Sequence, residues 1–303
     1  MPRLLPLALT LLFLLPAGCS RDDDPIGPGS TTHTLGERTF RTYRPPSLPS
    51  GRAVPLVLVL HGGAGSGTQA ERAYGWDAAA DRDGFLVAYP DGAGRSWNAG
   101  PGCCGPATRD GVDDVAFLEA VVAAVSRGAP VDASRVRVTG MSNGAMMAYR
   151  LACDSTVFSA IAPVAGTVIG DCPHPAPVAV LHVHGTADGS VPWAGGPGRR
   201  DNGGAGRVPI RIDGPAVPDM IAAWRSAASC AAPAETVDGP VTRSIAACPG
   251  GRTVELISIA GAGHQWPGAT PANPAVTAAL GLDPPSTAVD ATTEIARFFA
   301  AAP

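Results

Sequence analysis

The run VPLVLVLHG at 54–62 is apolar through Leu60 and has no polar face to turn toward water. Such a segment must be covered on both sides, as a central strand of a parallel sheet is when helices lie above and below it. The same texture returns in GFLVAYPDG (84–92), RVRVTG (135–140), AIAPVAG (160–166), VAVLHVHG (178–185) and TVELISIAG (253–261). Between these runs lie stretches of helical composition: Gln69 to Asp81, 111–128, Ala145 to Ala152, Pro218 to Ser229 and Ala288 to Ala300. In the second of these, Val115, Leu118, Val122 and Val125 fall at helical spacing, with Asp113 and Asp114 at the favourable positive end. RTFRTYR (38–44) reads as an edge strand. The alternation predicts an α/β domain with a mainly parallel central sheet and helices on both faces, binding ligands at the carboxyl ends of its strands.

One join in this pattern carries chemistry. VTGMSNGAMMAYRLAC (138–153) places Gly140-Met141-Ser142-Asn143-Gly144 between a strand and a helix. G-x-S-x-G at that position predicts a sharp strand-to-helix turn that lifts a serine hydroxyl above the sheet. A serine hydroxyl is a poor nucleophile without a base and a group to orient that base. On this architecture the partners follow in the order acid, then histidine. Asp188 stands just past the run 178–185, and His264 stands just past 253–261 as the only histidine after position 184. Read singly, Asp188 is a turn aspartate and His264 a loop histidine. Together with Ser142 they agree in order and in position. In LHGGAGSG (60–67) the N–H groups after His61 suit an oxyanion, so Gly63 and Asn143 are the expected donors. His182 and His184 share one strand face, two residues apart. With Asp188 they could suggest a metal site, but further ligands are lacking, so they read as core histidines or as supports of the site. No metal and no organic cofactor is expected.

The remaining composition bounds the setting. The 303 residues carry 22 basic side chains, all arginine, against 26 acidic ones, a net charge of −4. No basic stripe is present, so nucleic acid is not an expected partner. Met1-Pro2-Arg3 and the apolar run Leu4 to Leu15 have the form of a secretory signal, residues 1–18. Pro16-Ala17-Gly18-Cys19 resembles a bacterial lipobox, although Pro16 stands where leucine is usual. This predicts lipidation of Cys19 and a lipid-anchored protein at the outer membrane or cell surface. A plain cleaved signal and secretion is the alternative. Ser20 to His33, rich in Asp, Pro, Gly and Ser, reads as a tether, and a single catalytic domain is expected over 34–303. In an exported chain, Cys103, Cys104, Cys153, Cys172, Cys230 and Cys248 are expected to form three bridges. Cys230–Cys248 is the most separable pair. The other four cysteines admit three pairings, and nothing in the sequence chooses among them.

The stretches LVLVLHGGAGSG, SWNAGPGCCG, GVDDVAFLEAVV, VTGMSNGAMMAYRLAC, APVAG, VLHVHGTADGSVPW and GAGHQWPG run from about Val54 toward Phe299. As a set they resemble the secreted polyhydroxybutyrate depolymerase-like esterases, which are similar to the feruloyl esterases of carbohydrate esterase family 1. The resemblance implies an α/β-hydrolase fold and carboxylic-ester hydrolysis through an acyl-serine, with Ser142, Asp188 and His264 as the triad. Its expected substrates are small or polymer-linked esters: short-chain acyl groups, hydroxybutyrate oligomers, or acetyl and feruloyl groups on polysaccharides. A non-catalytic surface lipoprotein using the same fold as a binding module is the alternative. Trp97, Asn98 and Trp266 are the candidate pocket walls, with Trp193 a weaker one. Trp76 and Trp224 fall in helical stretches and are expected in the core. The Gly/Arg-rich segment 195–210 matches no part of the family pattern.

Overall fold

The computed structural model describes residues 25–199, 211–271 and 282–303. The expected signal segment, Cys19 and most of segment 195–210 lie outside the described residues. The fold is a ten-stranded sheet with helices on both faces. In chain order the strands are β1 (Gly29–Leu35), β2 (Arg38–Arg44), β3 (Val54–Leu60), β4 (Leu86–Pro90), β5 (Val131–Met141), β6 (Ala160–Val164) and β7 (Ala179–Gly185). There follow a two-residue pair, β8 (Gly196–Pro197) with β9 (Asp213–Gly214), and then β10 (Ala234–Asp238), β11 (Val241–Ala247) and β12 (Thr253–Ile259). The helices are α1 (Gly67–Tyr74), α2 (Trp76–Asp83), α3 (Gly105–Arg109), α4 (Asp114–Gly128), α5 (Asn143–Asp154), α6 (Val217–Ala227) and α7 (Ala291–Ala301).

Across the large sheet the order is β1-β2-β4-β3-β5-β6-β7-β12-β11-β10. The six strands from β4 to β12 are parallel, and an antiparallel hairpin closes each side. Strand alternation sorts the core into two layers. Leu56, Leu58 and Leu60 of β3 pack with Leu118 of α4, Met146 of α5 and Trp224 of α6. Val57 and Val59 face the other way and pack with Trp76 of α2 and Ile295 and Phe299 of α7. Trp76 and Trp224 are core residues, as expected. From β3 the chain winds to β4 on one side and then crosses to β5 on the other. The carboxyl ends of β3 and β5 therefore border the point where the winding reverses, the position at which open α/β sheets bind ligands.

Three expectations about elements are corrected. The tether reading of residues 19–33 fails from Gly29 onward, because β1 pairs with β2 along its whole length and Ile26 is already buried. The strand GSTTHTL lacks apolar alternation because it is held by main-chain pairing at the sheet margin. Consequently β2 lies one strand in from the edge. The helix expected over Gln69 to Asp81 is two helices, broken at Gly75, whose φ of 76° is left-handed and ends α1. Hairpin β10–β11 is bridged at its base by Cys230–Cys248. The other bridges are Cys153–Cys172 and the adjacent pair Cys103–Cys104.

Candidate active site

Ser142 connects β5 to α5 with φ 55° and ψ −119°, a conformation that costs of order 1–3 kcal/mol for a residue with a side chain. Two main-chain bonds hold it there: its N–H donates to Val164 O at 2.9 Å, and its carbonyl accepts from Met146 N–H at 3.0 Å. The flanking glycines are required by close approach. A Cβ on Gly140 would lie 2.7 Å from the Gly144 carbonyl carbon, and one on Gly144 would lie 2.5 Å from His61 O. The turn can thus press against the end of β3 only because both positions lack side chains.

The structure brings Ser142, His264 and Asp188 together. Ser142 Oγ lies 2.9 Å from His264 Nε2, and His264 Nδ1 lies 2.7 Å from Asp188 Oδ2. Asp188 Oδ1 accepts the N–H groups of Ser190 and Val191, each at 2.8 Å. Burial pushes the Asp188 carboxyl upward, yet the hydrogen bond and charge of His264, with His184 and the Val191 N–H, hold it below its ordinary value. Asp188 is therefore an anion with every near contact arranged for acceptance. With the carboxylate on Nδ1, the His264 proton sits there, and Nε2 is left with a lone pair facing the Ser142 hydroxyl.

Gly63 sits beside the turn: a Cβ there would lie 4.0 Å from Asn143 Cβ, while one on Gly62 would lie 3.6 Å from Ser142 Cβ. The loop after β3 and the first residue of α5 thus lie side by side next to Ser142. The Asn143 side chain is buried. Its Oδ1 accepts from Trp97 N–H at 2.7 Å, and its Nδ2 donates to Trp97 O at 2.9 Å. The Trp97 indole N–H then donates to His61 O at 2.8 Å. His61 in turn accepts the Gly92 N–H on Nε2.

Two of the pocket-wall expectations, Trp97 and Trp266, are corrected by these contacts. Trp97 is fully buried and pins the His61 loop to the α5 turn. Asn98 spends its amide on Val112 O and its N–H on Asp114, which is itself paired with Arg38 at 2.7 Å. Trp266 is 1% exposed, stacked on Tyr74 at 4.4 Å and bonded to Thr292, and it belongs to the core under α7. Contacts that the sequence does not show include that of Asp283, which accepts the His264 N–H at 2.7 Å, and the pairing of Arg38 with Asp114. Nothing in their local sequence distinguishes them. His182 and His184 are buried and bonded to each other at 2.9 Å. Among the described residues no group of three or more His, Cys, Asp or Glu side chains is placed to hold a metal ion.

Comparison with known proteins shows the family and the fold. The family described as "Esterase PHB depolymerase" matches residues 39–194. The chain is 36% identical to "Putative esterase NocK" of Nocardia uniformis subsp. tsuyamanensis, over 88% of this chain and 83% of that protein. It is 32% identical to "Feruloyl esterase B" of Piromyces equi, over 71% of this chain but only 41% of that longer protein. The solved acetyl xylan esterase from Aspergillus awamori superposes with a TM-score of 0.61 at 16% identity, over 90% of this chain and all of that one, and shares the α/β-hydrolase fold. The chain belongs to the PHB depolymerase esterase family and is a carboxylic-ester hydrolase.

Proposed function

We propose that hydrolysis runs through an acyl-serine. His264 takes the Ser142 proton through Nε2 as Oγ attacks the ester carbonyl, then returns it to the departing alcohol. Asp188 keeps the proton of the neutral ring on Nδ1 and stabilises the imidazolium that forms. The N–H groups of Gly63 and Asn143 receive the developing oxyanion, each contributing about 3 kcal/mol. Water then repeats the cycle on the acyl-enzyme. The observation that carries this reading is the unbroken line from Ser142 Oγ through His264 to Asp188 Oδ2, at 2.9 and 2.7 Å.

Soluble or accessible esters are the proposed substrates: short-chain acyl esters, hydroxybutyrate oligomers, and acetyl or feruloyl groups on polysaccharides. The names of the relatives support this class. The test compares p-nitrophenyl acetate, methyl ferulate, acetylated xylan, hydroxybutyrate oligomers and crystalline polyhydroxybutyrate, with Ser142→Ala as control. Turnover of the soluble esters and loss of at least about 10³-fold in kcat with Ser142→Ala are expected. Undiminished turnover by the variant, or rapid clearing of the crystalline polymer, would contradict the reading.

Export, with lipidation at Cys19, is proposed on the basic and apolar run before that residue. Three paired cysteine bridges fit an oxidising compartment. Cys19→Ser should move the protein from the membrane fraction to the soluble fraction. A wild type found wholly in the culture fluid would favour simple secretion.

A further inference from the structure

Beside Asp188 runs a second line of buried hydrogen bonds that does not pass through His264. Tyr149 Oη lies 2.9 Å from His182 Nδ1, His182 Nε2 lies 2.9 Å from His184 Nδ1, and His184 Nε2 lies 2.9 Å from Val191 O. All three side chains are essentially inaccessible to water, and Trp224 and Trp193 flank the two ends of the line.

Chemistry fixes the direction of every bond. His184 Nε2 faces two acceptors, Val191 O and, at 3.5 Å, Asp188 Oδ2, so it must carry a proton. Burial holds both imidazoles below their ordinary range, so each ring is neutral and has one N–H. His184 Nδ1 is then an acceptor, and His182 Nε2 must donate to it. His182 Nδ1 is left as an acceptor, and the Tyr149 hydroxyl donates to it. The next link is a single residue: Val191 accepts from His184 through its carbonyl and, on the other side of its Cα, donates its own N–H to Asp188 Oδ1. Two directed lines therefore end on Asp188, one starting at Ser142 and one at Tyr149. Both start on the same element, since Ser142 caps α5 and Tyr149 lies two turns along it.

We propose that Tyr149 and His182 are positioning residues for the esterase reaction: by donating along the line to His184 Nδ1 they hold that ring in place, and its Nε2–H fastens the 188–191 turn and so holds Asp188 against His264. The proposal rests on the triad reading for its kinetic consequence. Without a donor at His182, His184 Nδ1 is left buried and unpartnered, and the ring is held on one side only. It can then tilt and loosen its Nε2–H bond to Val191 O, and the turn would relax away from His264.

Two substitutions at one position separate this role from packing. In His182→Gln the amide nitrogen can reach the place of Nε2 and donate to His184. His182→Phe fills the volume without a donor. A packing role ranks Phe at or above Gln, and a positioning role ranks Gln above Phe. The expected result on p-nitrophenyl acetate is kcat within about threefold of wild type for Gln. For Phe, kcat should fall about tenfold or more with KM within twofold, since small misplacements in a preorganised site cost that order of rate. An activity-independent readout is proton and ¹⁵N NMR of the histidine rings. Protons on Nε2 of His182 and His184 are expected, and the His264 Nδ1–H resonance should shift in His182→Phe but not in His182→Gln. If His182→Phe does not fold, Tyr149→Phe carries the test, with kcat two- to fivefold lower and a smaller shift of the same resonance. A proton on Nδ1 of either buried ring, Phe equal to or better than Gln, or an unmoved His264 resonance would overturn the proposal. A wild type with the predicted ring protons and resonance shifts but no esterase turnover would instead count against the serine reading alone.

Discussion

The side-chain amide of Asn143 and the main chain of Trp97 form a closed pair, with Trp97 N–H to Asn143 Oδ1 at 2.7 Å and Asn143 Nδ2 to Trp97 O at 2.9 Å. The side chain of the residue after the serine thus ties the turn, whose N–H we propose as an oxyanion donor, to a second loop. Asn143→Ala should leave both Trp97 main-chain groups buried and unpaired, at about 1–3 kcal/mol each. We expect a clear fall in melting temperature together with at least a tenfold loss in kcat. Wild-type values for both would contradict the pairing.

Gly144 offers a sharper steric test. An alanine Cβ there would meet His61 O at 2.5 Å and Leu60 O at 2.6 Å, both rigid main-chain atoms. Gly144→Ala should cost about 2–3 kcal/mol or more and displace the loop that follows β3. Urea unfolding of the variant checks this, and an unchanged midpoint would mean that α5 does not lie so close to β3.

What was legible in the sequence followed from local constraint. Ser142 announces itself through two glycines, and Asp188 and His264 through their positions just beyond apolar strands. Trp97 and Trp266 were misread because a tryptophan on a loop has the same local sequence whether it walls a pocket or enters the core. Their deciding partners, Asn143 and Thr292, stand 46 and 26 residues away. Strands β1 and β10 escaped notice for a different reason: they sit at the sheet margins and bury little side-chain surface, so no alternation marks them. Asp283 holds the His264 N–H from 19 residues away, a relation that no spacing rule encodes.

Stability should depend on pH through Asp77. Burial raises its carboxyl from 3.8 to about 6, against the lowering effect of the Tyr89 hydrogen bond, with Glu71 and Asp81 adding repulsion. The folded protein keeps this proton to about pH 6, while the unfolded chain releases it near 3.8. The folded state therefore binds more protons in that window, and the Asp77 contribution to stability falls as pH rises through it. Asp77→Asn keeps an acceptor for the Tyr89 hydroxyl without the charge. The variant should melt higher than wild type at pH 8 and show no gain at pH 3. Parallel melting curves at both pH values would contradict this assignment.

The Cys230–Cys248 bridge spans 18 positions and closes hairpin β10–β11 at the margin of the sheet, away from Ser142. Replacing both cysteines with serine should lower stability by about 2–3 kcal/mol through the freed loop entropy. Esterase kcat at 25 °C should stay at the wild-type value, and a large loss of kcat with an unchanged melting temperature would be the opposite of what this placement predicts.

The most direct test of the account is covalent. An activated phosphonate ester reacts with a serine only where a base and an oxyanion site prepare it, and it stays attached. After incubation, digestion and mass spectrometry, the account predicts one adduct per chain, on Ser142, with esterase activity lost in proportion. It predicts no adduct in Ser142→Ala and strongly slowed labelling in His264→Ala. Full inhibition with the label on another residue, or esterase turnover that survives complete labelling of Ser142, would contradict the central claim.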